Sequence, residues 1–266
     1  MITIKEDVSQ KIEGLRDNNY YVVADFDKTI TDKKSNTTFS LFSKSGLYPK
    51  EYLEERNRNY EYYRPLELDA NIRSEEKERI VKAWQEASYQ LLLKYQVKEE
   101  DIKKVLSMPD MLILREGAIE FIRYLNEKNI PLIICSAGIS NFIKELLILN
   151  ECYSSNIFIY GNMLEFRNGQ IIDSKQEKIH SMNKNNITLS SDFYEKIKDK
   201  NYTLVIGDQL SDLNMVKKLP TTESISFGFL ESNVDQLRPY FQDQFDVVLE
   251  GGESFHTISK IIRLQR

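Results

Sequence analysis

The stretch Tyr20-Tyr21-Val22-Val23-Ala24-Asp25-Phe26-Asp27-Lys28-Thr29-Ile30-Thr31 carries the fold class of this chain. Five consecutive aromatic or apolar residues, with no polar alternation, describe a strand covered on both faces, as in a parallel sheet. The strand runs directly into two carboxylates, Asp25 and Asp27, set two residues apart. At the end of a buried strand such acids repel each other and lose hydration. A divalent cation relieves both penalties, and open parallel sheets bind ligands at the carboxyl ends of their strands. Taken alone, the pair reads more readily as the plain end of a strand and cap of a turn than as a cation site.

Similar apolar runs recur at 131–135, 157–160, 202–206, 225–229 and 247–249. Between them, residues 116–128 place Ala118, Ile119, Phe121, Ile122 and Leu125 at helical spacing, and 141–149 repeats the pattern. Strands alternating with helices predict an α/β fold with a parallel, Rossmann-like sheet. Residues 37–106 break the alternation. They hold no strand-like run and are rich in Glu, Lys, Arg and Tyr, with helical periodicity at Ile80, Val81, Trp84, Ala87, Leu91 and Leu92. This predicts a helical insertion after the first strand, dividing the chain into a core of 1–36 and 107–266 and a helical unit of 37–106. Within 163–172, Asn168-Gly169 between short apolar runs predicts a β-hairpin, because this dipeptide accepts the positive φ angles of a tight turn.

Composition sets outer limits. The chain has 266 residues, of which 41% are hydrophobic and 29% charged, a globular balance that excludes collagen-like and largely disordered chains. The net charge of −5 speaks against a dedicated binder of nucleic acid polymers, though not against a local pocket for a small anion. Only Cys135 and Cys152 are present, too few for a disulfide framework, and they predict buried thiols in a reducing compartment. No apolar run reaches the roughly 20 residues of a membrane span, and the charged start of the chain does not read as a signal peptide. A cytoplasmic protein that makes no use of a membrane is expected. No sustained heptad marks an oligomer interface.

Two further strand ends join the first. Cys135-Ser136-Ala137-Gly138 brings a hydroxyl and small residues ahead of a helix, where free backbone N–H groups would favour a phosphate. Gly207-Asp208-Gln209-Leu210-Ser211-Asp212 sets two acids four residues apart, on one side of any helix begun there. Lys184, between these segments, reads alone as a surface lysine; near a phosphorus centre it would neutralise developing negative charge.

Taken in this order, the three strand ends and the lysine resemble the haloacid dehalogenase-like phosphatases. The resemblance implies Asp25 as nucleophile, Asp27 as general acid and base, and Ser136, with Ala137, Gly138 and Lys184, as the phosphate site. It implies Mg2+ held by Asp25, Asp27, Asp208 and Asp212, the Asp27 ligand being its backbone carbonyl and Asp212 an outer carboxylate. A helical insertion after the first motif corresponds to that superfamily's C1 cap. Ser136-Ala137-Gly138-Ile139, Ile179-His180 with Asn183-Lys184, Gly228-Phe229-Leu230, Phe245-Asp246-Val247-Val248-Leu249, and Glu67-Leu68-Asp69 followed by Glu75-Glu76-Lys77 and Trp84 are similar to the cytosolic pyrimidine/7-methylguanosine 5′-nucleotidase family. That likeness implies hydrolysis of nucleoside monophosphates, with Glu67 matching the glutamate that reads the base. Trp84 is a candidate base contact or a core residue. A phosphoserine-type phosphomonoesterase on the same scaffold is the alternative. A phospho-accepting receiver domain is a third reading, opposed by the length of the chain, its helical insertion and the presence of Asp27.

Overall fold

In the computed structural model of the protein, the described residues are 1–15, 18–69, 71–174, 176–220 and 223–262. The chain runs β1 (Ile2–Ile4), α1 (Val8–Glu13) and β2 (Tyr20–Ala24). It then enters a helical segment of α2 (Leu41–Lys44), α3 (Lys50–Leu68), α4 (Ser74–Lys94) and α5 (Glu99–Leu106). The return passes through α6 (Ala118–Glu127), β3 (Leu132–Ile139), α7 (Ser140–Leu149), β4 (Ile157–Asn162), and the hairpin β5 (Glu165–Arg167) and β6 (Gln170–Ile172). It closes with α8 (Ser191–Ile197), β7 (Tyr202–Gly207), β8 (Glu223–Leu230), α9 (Val234–Gln244), β9 (Val247–Glu250) and α10 (Phe255–Ile261).

Seven strands form one sheet in the order β1-β9-β8-β7-β2-β3-β4. Every pairing is parallel except β1 with β9. Strand alternation sorts the side chains. Tyr20, Val22 and Ala24 join Leu132, Ile134, Leu204 and Ile206 under α6. Tyr21 and Val23 join Ile133, Cys135 and Val205 on the opposite face under α8. Both faces are therefore dry, which is why the central strands read as unbroken apolar runs. The α/β class expected from the sequence is the architecture found.

Edge strand β1 was not foreseen. Three residues are too short for a periodic signal, and its Ile2 and Ile4 are exposed. The hairpin is present, with Asn168 at φ 51° and Gly169 at φ 76°. Residues of α2–α5 form their own core, in which Leu41, Phe42, Tyr52, Tyr89 and Leu92 pack against Ile139 and Phe142 and against Leu164 and Ile171 around the hairpin. The helical segment thus rests on the β3–α7 junction, next to the Ser136 motif.

Register decides where the motifs meet. Ala24 lies level with Ile134 of β3 and Ile206 of β7. The residues just beyond these positions, Asp25, Cys135-Ser136 and Gly207-Asp208, therefore emerge side by side at one sheet edge.

Candidate active site

Asp25 is fixed from both ends. Its backbone N–H donates to the Ile206 carbonyl at 2.9 Å, continuing the β2–β7 ladder by one bond. Its Oδ1 accepts from Lys184 Nζ at 2.5 Å, and the same ammonium donates to Asp212 Oδ1 at 2.9 Å. All three residues are buried. Lys184 is delivered by a stapled turn, in which Asn183 Oδ1 accepts from His180 N–H at 2.7 Å and Asn183 Nδ2 donates to Lys178 O at 3.1 Å.

Asp208 and Asp212 differ in role. The Asp212 Oδ2 accepts from the backbone N–H groups of Asp208 and Gln209, at 3.1 and 3.0 Å. It ties the strand end to the short 3-10 helix Leu210–Val216. The helix begins at Leu210 with Gln209 as its N-cap, so Asp208 lies outside it. Asp208 Oδ1 is buried and has no hydrogen-bond partner among the described residues.

Asp27 turns away from this cluster. Its carboxylate accepts from Thr38 N–H at 3.0 Å and from Thr38 Oγ1 at 3.1 Å. Thr38 Oγ1 in turn accepts from Ile139 N–H at 3.0 Å. Gly138 is required where these groups converge. A Cβ there would lie 1.9 Å from Thr38 Oγ1 and 3.0 Å from both Asp27 Oδ2 and Ser136 Oγ. Ser136 Oγ accepts from Gly138 N–H at 3.0 Å, which leaves its own O–H to donate elsewhere.

Free N–H groups ahead of a helix are expected at this motif, and two of them are not free. β3 continues through Ile139 with a register shift, and the Gly138 and Ile139 N–H groups are already engaged. The strand persists because β4 still offers a pairing partner as far as Asn162.

Burial pushes Asp25 up to about 7 and Asp27 up to about 6, the first opposed by Lys184 and the second by the Thr38 hydrogen bonds. Burial also drives Asp208 well above the usual carboxylate range, with the Asp25 charge adding to it. For Lys184 burial disfavours the ammonium, but Asp212 and Asp25 outweigh it and hold the group well above its ordinary value. One ammonium faces several carboxylates, and Asp25, Asp208 and Asp212 each bring an oxygen within 4.8 Å of the others. Hard oxygen donors, excess negative charge and an orphaned buried oxygen fit a small divalent cation.

Chain comparison identifies the lineage. Residues 4–265 match the family described as pyrimidine 5′-nucleotidase (UMPH-1). This chain belongs to that family. The 7-methylguanosine phosphate-specific 5′-nucleotidase of Gallus gallus is 26% identical over 250 residues, covering 91% of this chain and 86% of its own. The protein of the same name from Homo sapiens is 27% identical over 250 residues, with 91% and 83% covered. Among solved structures, cytosolic 5′-nucleotidase IIIB bound to cytidine superposes with a TM-score of 0.88 at 24% identity, covering 99% of this chain and 93% of that one. A phosphoserine phosphatase superposes at 0.51 with 16% identity, over 90% and 97% of the two chains. The chain is accordingly an enzyme, a phosphoric monoester hydrolase of 5′-nucleotidase type on a haloacid dehalogenase-like fold, as its motifs implied.

The residues expected from the sequence fall into two groups. Asp25, Asp27, Ser136, Ala137, Gly138, Lys184, Asp208 and Asp212 meet at the sheet edge. Glu67 and Trp84 lie on α3 and α4. Glu67 is ion-paired with Arg64, while Trp84 packs beside Tyr60 and Tyr63, with ring centroids 5.9 and 6.1 Å away. Sequence reasoning missed Thr38, Gln85 and Asn162. Gln85 Nε2 and Asn162 Nδ2 both donate to the Ala137 carbonyl, at 3.0 and 2.7 Å. Thr38 and Gln85 come from the helical segment and Asn162 from β4; none has a periodic or charge signal that could have marked it. No helix among the described residues is long and apolar enough to cross a membrane.

Proposed function

We propose that this chain hydrolyses nucleoside 5′-monophosphates with Mg2+, through an aspartyl-phosphate on Asp25, in the cytoplasm. The observation that carries the reading is the unpartnered Asp208 Oδ1 beside Asp25 and Asp212 at the end of the sheet. Asp25, Asp208 and the Asp27 carbonyl would hold the ion, with Asp212 behind them. When bound, it would withdraw charge from the phosphoryl oxygens and favour ionised Asp25.

Asp25 attacks phosphorus, and the P–O bond to the nucleoside breaks. Asp27 gives its proton to the departing 5′ oxygen. Water then attacks phosphorus while Asp27 takes back a proton, and Asp25 leaves as a carboxylate. An acid that burial pushes up to about 6 suits this double duty. The Ser136 hydroxyl donates to a phosphate oxygen, and Lys184 neutralises charge on the phosphoryl group. Residues 37–106 act as the cap over the leaving group, with Glu67 and Trp84 facing the base. Relatives named for 7-methylguanosine phosphate and a neighbour holding cytidine support a nucleotide substrate. A Caenorhabditis elegans relative is named a cytosolic 5′-nucleotidase, and both cysteines of this chain are buried and free, in keeping with a reducing compartment.

The test is phosphate release over a panel of nucleoside monophosphates, phosphoserine and p-nitrophenyl phosphate, with and without Mg2+. Preference for nucleotides that vanishes on chelation is expected. A preference for phosphoserine would move the chain to the alternative reading.

A further inference from the structure

Arg115 lies outside every motif, between α5 and α6, and only 3% of its surface is exposed. Three consecutive carbonyls of the loop after β2 end on this one residue. Arg115 Nη2 donates to Lys28 O, Nε to Thr29 O at 2.8 Å, and the backbone N–H to Ile30 O at 2.9 Å. The other guanidinium hydrogens go to Glu231, at 3.0 Å from Nη1 and 2.9 Å from Nη2, and to Glu253 O at 3.2 Å. All five guanidinium donors are thereby used. The group also lies 3.8 Å above the Phe229 ring at the end of β8.

We infer that Arg115 is a positioning residue for Asp27, holding the loop so that this carboxyl faces the departing oxygen. The inference rests on the phosphatase reading above. Asp27 immediately precedes Lys28, which sits at φ 70°, a left-handed conformation uncommon for a residue with a side chain. The guanidinium answers the Lys28 and Thr29 carbonyls, and the backbone N–H of the same residue answers that of Ile30. Asp25 does not depend on this clamp, because the strand ladder and Lys184 already fix it. Apart from its loop, Asp27 has the Thr38 contacts. Losing the clamp therefore disturbs the acid and spares the nucleophile. A lysine carries the charge but not the planar fork, so it would not replace Arg115.

Leaving-group chemistry gives the test. A nucleoside 5′ oxygen needs a proton to depart, whereas p-nitrophenolate does not. Arg115→Met alone would strand the buried Glu231, so the variant to make is Arg115→Met with Glu231→Met. Its kcat/KM, which reports the first chemical step, should fall about 100-fold on a nucleoside monophosphate and less than about 5-fold on p-nitrophenyl phosphate. Where that variant does not fold, Arg115→Lys, which keeps a charge beside Glu231, must show the same split. Equal losses on both substrates, or no loss on nucleotides, would overturn the inference. Wild-type protein that releases no phosphate from any nucleoside monophosphate would instead refute the nucleotidase reading, a result separate from the split.

Discussion

At the sheet edge, Asp25 is gripped by Lys184, 159 residues away in sequence, at 2.5 Å. On α3, Glu67 is gripped by Arg64, three residues away on the same helix. The first arrangement exists only in the folded core, where neighbouring strands hold every group in register. The second would form on any exposed helix, where such pairs contribute about 0.2–0.5 kcal/mol. The difference teaches a division of labour. Asp25, Lys184 and Asp212 are buried and cross-braced, whereas Glu67 and Trp84, proposed for recognition, stay half-exposed on helices.

The comparison breaks most easily at Asp25. Asp25→Asn keeps the shape but removes the nucleophilic charge, and kcat should fall by at least about 10⁴-fold with the circular dichroism spectrum unchanged. Substantial Mg2+-dependent turnover by this variant, free of deamidation, would strip the sheet edge of its assigned role.

Removing the ion should expose the strain in the acidic cluster. Asp25 and Asp27 titrate near 7 and 6 in the fold, against an ordinary 3.8. The folded chain thus holds these protons more tightly than the unfolded chain does. That stability is fully present below about pH 4 and is lost as pH rises through about 6 to 7. In chelator, the melting temperature should drop between about pH 5 and about pH 8. Mg2+ binds the ionised form, so its stabilising shift should grow over the same interval. An equal shift at both pH values would show that the ion does not neutralise this cluster.

Recognition is sharpened by smaller effects. Glu67→Ala should lower kcat/KM on the preferred nucleotide by about 5- to 150-fold, or roughly 1–3 kcal/mol, by leaving a base donor unpaired. It should spare p-nitrophenyl phosphate and leave the melting temperature nearly unchanged. Equal effects on both substrates would return Glu67 to a plain surface charge. The smallest change is expected from Gln85→Leu, which removes the hydrogen bond from α4 to the Ala137 carbonyl but leaves the one from Asn162. KM for nucleotides should rise by about 3- to 10-fold with little change in kcat, as for a lost contact of about 1 kcal/mol that holds the proposed cap over the site. A fall in kcat at constant KM would make Gln85 part of the phosphate machinery instead.

The residue order alone reveals the layered sheet and the strand ends that bear Asp25 and Asp208, and it singles out Ser136, which the fold keeps inside β3. Unbroken apolar runs have one economical reading, strands covered on both sides, and the acids that interrupt them must sit where the strands stop. It also marked the helical insertion, through the periodicity of Ile80 to Leu92. What holds those acids in place emerges only from the folded chain. The Thr38 grip on Asp27, the Gln85 bond to Ala137 and the Arg115 clamp on three carbonyls join residues 11, 52 and about 86 positions apart. Such contacts are polar bonds to backbone or carboxylate oxygens, with no repeat and no composition to announce them. They exist because strand register and helix packing bring those atoms together, and that arrangement is a property of the whole fold.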